Sequence, residues 1–472
     1  MAKIAVLGAG SITFGTTLLN DMLGTESLKG STYALMGPTL SKLQRVENFT
    51  KKLIEKNNLS ANVYSTTDRR EALKDADYVI AILQIGGMDS YKTDYKIPMK
   101  YGVDQCIGQC VGVGGVFRGI RTIPVMVDIL HDMEELCPNA LLLNYVNPMA
   151  SICIAMGRSS AISFVGLCHG IQTTLDLIAS YNGVKKEEID FLAAGINHMA
   201  WYLKLEKDGK DLYPLFKENI EKPEYYINDK VRCEVTRHFG YFMTESSGHL
   251  SEYLPWFRKN KKALDTYCDQ PLFGGESGIG YKFHSGVAKK FEKTDYLSYE
   301  STDLKPRSAE YCSHIIEAKE TGKVFKLNGN VINKQYITNL PDGCCVEVPI
   351  FVDKMGLHPV SVGDLPTPLA AMNQSNVTVQ MLVAEASLAG DPELVVAAIA
   401  MDPLTSAVLT LKEIRDLTIE MFEAQEKFLP HFKGKKPKKI YDISIPDGTE
   451  GVPVPLDPAL AVANRLVSLA DK

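Results

Sequence analysis

The sequence predicts an α/β fold: a doubly wound parallel sheet fused to a C-terminal α+β region. Three observations predict it. Short runs that are apolar throughout alternate with helical spacing over the first half of the chain, the pattern of a parallel sheet covered on both faces. Several of these runs end in turns bearing glycine, asparagine or cysteine, as strands do where the carboxyl edge of a sheet collects ligands. Beyond about residue 190 the alternation stops, and mixed strands and long helices take over.

Taken in order, Lys3–Leu7 is an apolar run that stops at Gly8, and Phe14–Leu23 carries helical spacing. Residues 31–36 read as a second strand, Leu40–Lys56 as a charged amphipathic helix, and residues 61–65 as a third strand. Residues 76–83 form the clearest strand and end in Gln84-Ile85-Gly86-Gly87. Residues 140–144 lead to Asn147-Pro148, and residues 163–167 deliver Cys168-His169-Gly170. In the second half, residues 199–205 read as a strand whose partner follows the turn at 207–210. Residues 344–352 read as a late strand, and residues 370–389 and 394–410 as two long helices.

A chain of 472 residues exceeds one core and suits two intimately fused domains. The net charge of -6, with both signs interspersed, gives no basic footprint for nucleic acid. The lysine-rich run 433–439 reads as a solvated loop. No apolar run approaches the roughly 18 residues of a membrane span, and the chain opens in a strand pattern rather than a leader. Ten scattered cysteines do not make a disulfide framework, so a reducing, cytoplasmic setting is expected.

Two sets of residues carry chemistry. Gly8-Ala9-Gly10-Ser11 lies between a strand and a helix, where a tight glycine turn lets backbone approach a pyrophosphate. The third glycine of that pattern is replaced by Thr13. The turn makes the sheet Rossmann-like and sets the expected domains: residues 1–190 for a dinucleotide, residues 191–472 for substrate and metal. The second strand ends Met36-Gly37-Pro38-Thr39, without the carboxylate that normally holds an adenosine ribose. Thr39 with backbone is one substitute, and Lys42 or Arg45 meeting a phosphorylated ribose is another, so NAD and NADP both stay open. The second set is Cys168 with His198. A thiolate and an imidazole suit a borderline-soft divalent ion and leave room for substrate oxygens. Taken singly, Cys168 is better explained as a small buried hydrophobe, and a lone histidine as a satisfied core or surface residue.

Together, Gly8-Ala9-Gly10-Ser11, Asn144-Tyr145-Val146-Asn147-Pro148, Gly166-Leu167-Cys168-His169 and Ala194-Gly195-Ile196-Asn197-His198 resemble the NAD- and manganese-dependent family 4 glycoside hydrolases. Within that family they resemble the melibiase-type α-galactosidases. The stretches 84–87, 114–124 and 339–347, and Glu245-Ser246-Ser247-Gly248-His249 with Glu252-Tyr253, carry the same resemblance.

The resemblance implies a hydrolysis outside the two-carboxylate scheme. NAD takes hydride from sugar C3, and the metal polarises the ketone and acidifies the C2 proton. A base removes that proton, the glycosidic oxygen leaves C1 by elimination, water adds, and the hydride returns. The implied cofactors are NAD and Mn2+, the substrate a small carbohydrate, and the assembly a homo-oligomer, dimer or tetramer. Cys168 and His198 are the implied metal ligands. Gly8, Gly10, Ser11, Gln84, Gly86 and Asn147 fall at the dinucleotide. Asn147, His169, Asn197 and Arg118 fall at the sugar. Tyr253 is the implied C2 base, with Glu245 and His249 as competitors, and His169 would assist the leaving group. Arg118 and Arg121 read as anchors for a polar substrate or as subunit bridges.

Gly170 stands where melibiases carry serine, and Gly37 where they carry an acid. α-Glucosidase and α-galacturonidase or α-glucuronidase therefore stand beside α-galactosidase. A hydroxy-acid dehydrogenase would share the sheet but need an arginine with a histidine–aspartate pair and no metal. A non-catalytic dinucleotide sensor would leave Cys168, His169 and His198 without a role.

Overall fold

The computed structural model describes residues 1–11, 14–293, 297 and 300–470, so Ile12 and Thr13 of the glycine turn lie outside the described residues. The first six strands are β1 (Lys3–Leu7), β2 (Thr32–Met36), β3 (Asn62–Thr66), β4 (Tyr78–Ala81), β5 (Leu141–Asn144) and β6 (Phe164–Gly166). They pair in parallel in the order β3-β2-β1-β4-β5-β6, the order of a Rossmann sheet. Along β1, Ile4 and Val6 enter one core while Ala5 and Leu7 enter the other, and all four are fully buried. Burial on both faces is why these strands are apolar throughout. β4 is shorter than its apolar run, because Ile82 leaves the β5 ladder to close on the glycine turn. A side-chain carbon on Gly8 would lie 2.7 Å from the Ile82 carbonyl oxygen, and Gly8 has a φ of 91°, so only glycine fits.

The second half extends the same sheet. It contributes β7 (Asp190–Ile196), β8 (Met199–Lys207), β9 (Lys210–Asp211), β10 (Phe325–Ile332), β11 (Cys345–Asp353) and β12 (Gly356–Pro359). The order continues β6-β10-β11-β7-β8-β9, with β12 on β11, and every new pairing is antiparallel. Two single-residue pairings make the join: Asn330 opposite Gly166, and Glu347 opposite Gly195. Asn330 and Glu347 face each other in the β10–β11 ladder, so Gly166, Asn330, Glu347 and Gly195 form one row across four strands.

Two elements differ from their sequence reading. The main partner of β8 is β7, which precedes it, and β9 adds only two residues. Asn197 and His198 form the connecting turn, and His198 adopts a positive φ of 65° there. The helix expected over 394–410 is two, Pro392–Met401 and Pro403–Val408. Pro403 brings no amide to a continuing helix, and Asp402 caps the second one, its Oδ2 accepting from Thr405 N at 2.8 Å.

Buried polar pins fix the loops. The Glu252 carboxylate accepts the amides of Ile107 and, at 3.0 Å, Gly108. Arg258 is buried and donates from Nε to Asp104 Oδ1 at 3.1 Å. These contacts hold the loop that carries Cys110. Arg121 corrects its sequence reading as a substrate anchor or subunit bridge. Its guanidinium pairs with Asp94, their side chains being 1% and 0% exposed, and it also donates to Gln425 Oε1 at 2.8 Å and to the Ile85 carbonyl at 3.1 Å. It has no free face for a ligand or a second subunit.

Residues 1–438 pack as one unit. In the basic run, Lys435 Nζ donates to the Gly390 carbonyl at 3.0 Å, at the C-terminus of the helix Thr367–Ala389. That part of the run caps a helix rather than floating in solvent. Residues 439–472 form a second unit, whose helix is Pro458–Ala470. Among the described residues no helix is long and apolar enough to cross a membrane.

Removing Asp94 leaves a buried guanidinium without its counter-ion. Asp94→Ala is expected to lower unfolding stability by about 3–5 kcal/mol in denaturant titration. Lys261→Ala, which breaks an exposed pair with Asp265, is expected to change it by less than about 0.5 kcal/mol.

Candidate active site

The residues of the site arrive on three segments. Cys168 and His169 follow β6, and His169 is the N-cap of the helix Gly170–Asn182. His198 sits at the β7–β8 turn. Glu245 comes from a segment held against β8 by a bridge between Trp201 and Met243 and by Thr244 N donating to the Ala200 carbonyl at 2.9 Å. Glu245 has a positive φ of 69°, and strain in a non-glycine residue of this kind gathers at functional sites. The short helix Ser247–Tyr253 follows, capped by Ser246, whose Oγ accepts from His249 N at 3.2 Å. Helix spacing puts His249 and Tyr253 on one face. The buried helix Thr367–Ala389 braces both sides of the site. Asn373 Nδ2 donates to the Met199 carbonyl at 2.8 Å, and Asn376 Nδ2 to the Tyr253 carbonyl at 3.0 Å.

The Glu245 carboxylate is the hub. Its Oε1 accepts from the Cys168 thiol at 3.3 Å and lies 3.7 Å from His198 Nε2, while its Oε2 lies 3.6 Å from His249 Nδ1. Donors about 2.0–2.3 Å from a single ion stand roughly 3–3.7 Å apart, and the contacts of Glu245 to Cys168 and His198 fall in that window. Sulfur, imidazole and carboxylate together form a donor set suited to a borderline divalent cation, with positions left for substrate oxygens. Cys110, His198 and His249 make a second such cluster, sharing His198. The carboxylate also depends on Gly170: a side-chain carbon there would lie 2.2 Å from Glu245 Oε1.

His198 turns its other nitrogen to the Tyr253 hydroxyl, with Nδ1 to Oη at 3.3 Å. Burial, partly offset by Glu245, lowers the His198 pKa to about 3, so its imidazole is neutral. With Nε2 offered to a cation, Nδ1 carries the proton and donates it to Tyr253 Oη, fixing tautomer and ring together. Burial, with the Glu245 and Glu347 carboxyls nearby, pushes the Cys168 thiol well above its ordinary range; a cation beside it would reverse that balance. Burial opposes ionisation of Glu245, whereas the imidazoles around it, whenever protonated, and the Cys168 hydrogen bond favour the carboxylate and pull its pKa down. Glu347 lies in the row beneath, fully buried, its pKa raised to about 8 by desolvation and by Glu245, with Oε1 unmet by any hydrogen bond.

The other expected residues sit at the same sheet edge. Gly8, Gly10 and Ser11 follow β1, and the amides of Gly8 and Ala9 donate to the Met36 carbonyl at 2.8 and 3.1 Å. Gln84 is exposed just past β4, and Gly86 (φ 81°) caps the helix Gly87–Lys100. Gly8, at φ 91°, and Gly10 stand between β1 and the helix Phe14–Leu23, the setting in which a dinucleotide pyrophosphate is bound. Asn147 accepts at its carbonyl from Arg118 Nε at 3.0 Å, so Arg118, expected at the sugar, braces the Asn147-Pro148 turn. Asn197 is buried, and its Nδ2 has no hydrogen-bond partner among the described residues. The His169 side chain is 56% exposed, and its Nδ1 lies 3.4 Å from Glu310 Oε1.

Sequence reasoning missed Cys110, Glu310, Glu347, Asn373 and Asn376. Glu347 left one trace, an acid inside the apolar run 344–352. The asparagines of 373–376 were likewise polar residues in a helix read as apolar.

The model of the "Family 4 glycosyl hydrolase" matches residues 3–184, and that of its C-terminal domain matches residues 193–405. The chain is 40% identical over 441 residues to an α-galactosidase of Bacillus subtilis (strain 168), covering 92% of this chain and 100% of that one. It is 38% identical over 442 residues to an α-galactosidase of Rhizobium meliloti (strain 1021), covering 91% and 89%. A 6-phospho-α-glucosidase from gut microorganisms, solved in complex with NAD and Mn2+, shares the fold with a TM-score of 0.77 at 20% identity, covering 91% of this chain and 99% of that one. The chain belongs to the family 4 glycosyl hydrolases.

Proposed function

We propose that the enzyme hydrolyses α-galactosides by oxidation, elimination, hydration and reduction, with a nicotinamide dinucleotide of the NAD class and a divalent cation, Mn2+ foremost. The convergence of Cys168, His198 and Glu245 beside Tyr253, at the sheet edge that carries the glycine turn, supports this reading most. The α-galactosidase relatives support the glycone, and the family member solved with NAD and Mn2+ supports the cofactors.

In this reading residues 1–190 hold the dinucleotide and Cys168, and the segments beyond 190 complete the cation and sugar sites. Bound there, the dinucleotide supplies a reversible hydride acceptor for sugar C3 and the cation a Lewis acid for the carbonyl oxygen that results. Tyr253 Oη takes the C2 proton; burial and the nearby Cys110, Glu252 and Glu245 hold its hydroxyl well above the ordinary phenol range, and the His198 Nδ1–H that donates to it works against that. His169 stands half-exposed, and its hydrogen bond to Glu310 raises its pKa despite opposing burial. It therefore carries a proton to the departing glycosidic oxygen. Asn197, with its unpaired amide, and Asn147 orient sugar hydroxyls. Glu245 serves as a cation donor rather than the C2 base, and His249 holds its second oxygen. The thiol ligand suits a reducing compartment such as the cytoplasm.

One observation favours a uronide as the second reading. Arg118 is buried over the Tyr91 ring, 5.9 Å from its centroid, and donates from Nε to Asn147, but its terminal nitrogens have no acceptor among the described residues. A substrate carboxylate would supply one.

The test is a panel of p-nitrophenyl α-glycosides (galactoside, glucoside, galacturonide, glucuronide) under reducing conditions. Release is expected to be fastest for the galactoside, to require dinucleotide, and to be abolished by chelator and restored by Mn2+. Tyr253→Phe is expected to lower kcat by about 10²–10⁴-fold while leaving dinucleotide binding unchanged. Release that persists without dinucleotide and cation would contradict the proposal.

A further inference from the structure

We infer that the dinucleotide turn is built for an adenosine ribose carrying a 2′-phosphate, so that NADP rather than NAD is the preferred form. The inference rests on Gly8–Ser11 being the dinucleotide site and adds the chemistry of its adenosine end. In a doubly wound sheet that ribose lies at the end of the second strand. A carboxylate there bonds the 2′-hydroxyl of NAD, and a cation there meets the 2′-phosphate of NADP.

In this chain the carboxylate is missing and the cations are present. The Met36 carbonyl that ends β2 accepts the amides of Gly8 and Ala9, which places Gly37 directly beside the turn. Gly37 offers no acceptor, and Leu43 fills its flank, with Cδ2 3.3 Å from where a side chain would begin. Acids around the ends of β2 and β3 are engaged elsewhere. Glu47 pairs with Lys51 at 2.6 Å and accepts from Ser65. Glu71 accepts from Thr66 Oγ1, and Asp68 caps the helix Arg69–Leu73 by accepting from Arg70 N at 2.8 Å.

The positive charge stands on the helix Leu40–Lys56, whose first turn holds no acidic residue. Lys42 Cβ lies 3.4 Å from where a Gly10 side chain would start, so the root of this lysine abuts the turn itself. Arg45, three residues on, shares its face. Among the described residues neither side chain has a hydrogen bond or an ion pair. Two cations without counter-ions, next to a strand end without a carboxylate, leave a ribose 2′-hydroxyl without a charged acceptor. They give a phosphate of about −1.5 to −2 charge two charge-assisted partners. The phosphate is remote from the nicotinamide ring, so the preference decides which dinucleotide is held and not what it does.

The test is calorimetric titration of the whole protein with NADP+ and with NAD+, without sugar. NADP+ is expected to bind at least about tenfold more tightly. Adenosine 2′-monophosphate is expected to displace bound dinucleotide better than the 5′-monophosphate. The double variant Lys42→Ala/Arg45→Ala is expected to bring NADP+ within about twofold of NAD+ and leave NAD+ binding unchanged. Gly37→Asp is expected to reverse the order. NAD+ binding as tightly as NADP+ to the unaltered protein, or a double variant with undiminished NADP+ affinity, would overturn the inference while leaving the dinucleotide site in place. Binding of neither would overturn the site itself.

Discussion

Everything at the active site depends on the row Gly166–Asn330–Glu347–Gly195. Cys168 lies two residues beyond one end of that row and His198 three beyond the other. Without the β10–β11 hairpin between them, the strand that carries the thiol and the strand that carries the imidazole would belong to different sheets. Each outer pairing is a single residue long. Asn330 reinforces one of them by donating from Nδ2 to the Gly166 carbonyl at 3.3 Å. The row is an odd place for polar side chains, since Asn330 Oδ1 and Glu347 Oε1 are buried and unpaired. Apolar residues would be less costly there. Their presence directly beneath the donors reads as a feature of the site rather than of the fold's stability.

Above the row, electrostatics and packing constrain one another. Glu245 is buried, ionised and held in a left-handed backbone conformation between a thiol and two imidazoles. Its carboxylate occupies the space that a side chain at 170 would take. His198 is neutral because it is buried, and a neutral imidazole is what a cation needs. Tyr253 is braced through its carbonyl by Asn376 and through its hydroxyl by His198, so one buried helix fixes both Tyr253 and the strand next to His198.

Much of this was legible in the sequence. The six parallel strands are apolar on both faces, so they stood out, and their turns carried Gly8, Asn147 and Cys168 at one edge. What could not be read was anything set by pairing between distant strands. The β7–β8 hairpin was misread because the strand over 199–205 was paired forward across the turn at 207–210 rather than back to the strand before it. The join of the two halves rests on single residues, which leave no periodic signal. Glu310 and Cys110 reach the site from loops whose positions depend on pins such as Glu252. The proline at 403 was visible, and its power to split the 394–410 helix was underweighted.

The glycosidic bond breaks by elimination, and only after the C2 proton has been removed. The most direct measurement is hydrolysis of an α-galactoside in D2O, with the released sugar read by NMR at C2. Deuterium is expected at C2, because the proton taken by the base exchanges with solvent before water adds across the C1–C2 bond. Galactose released with its original proton at C2 would contradict it.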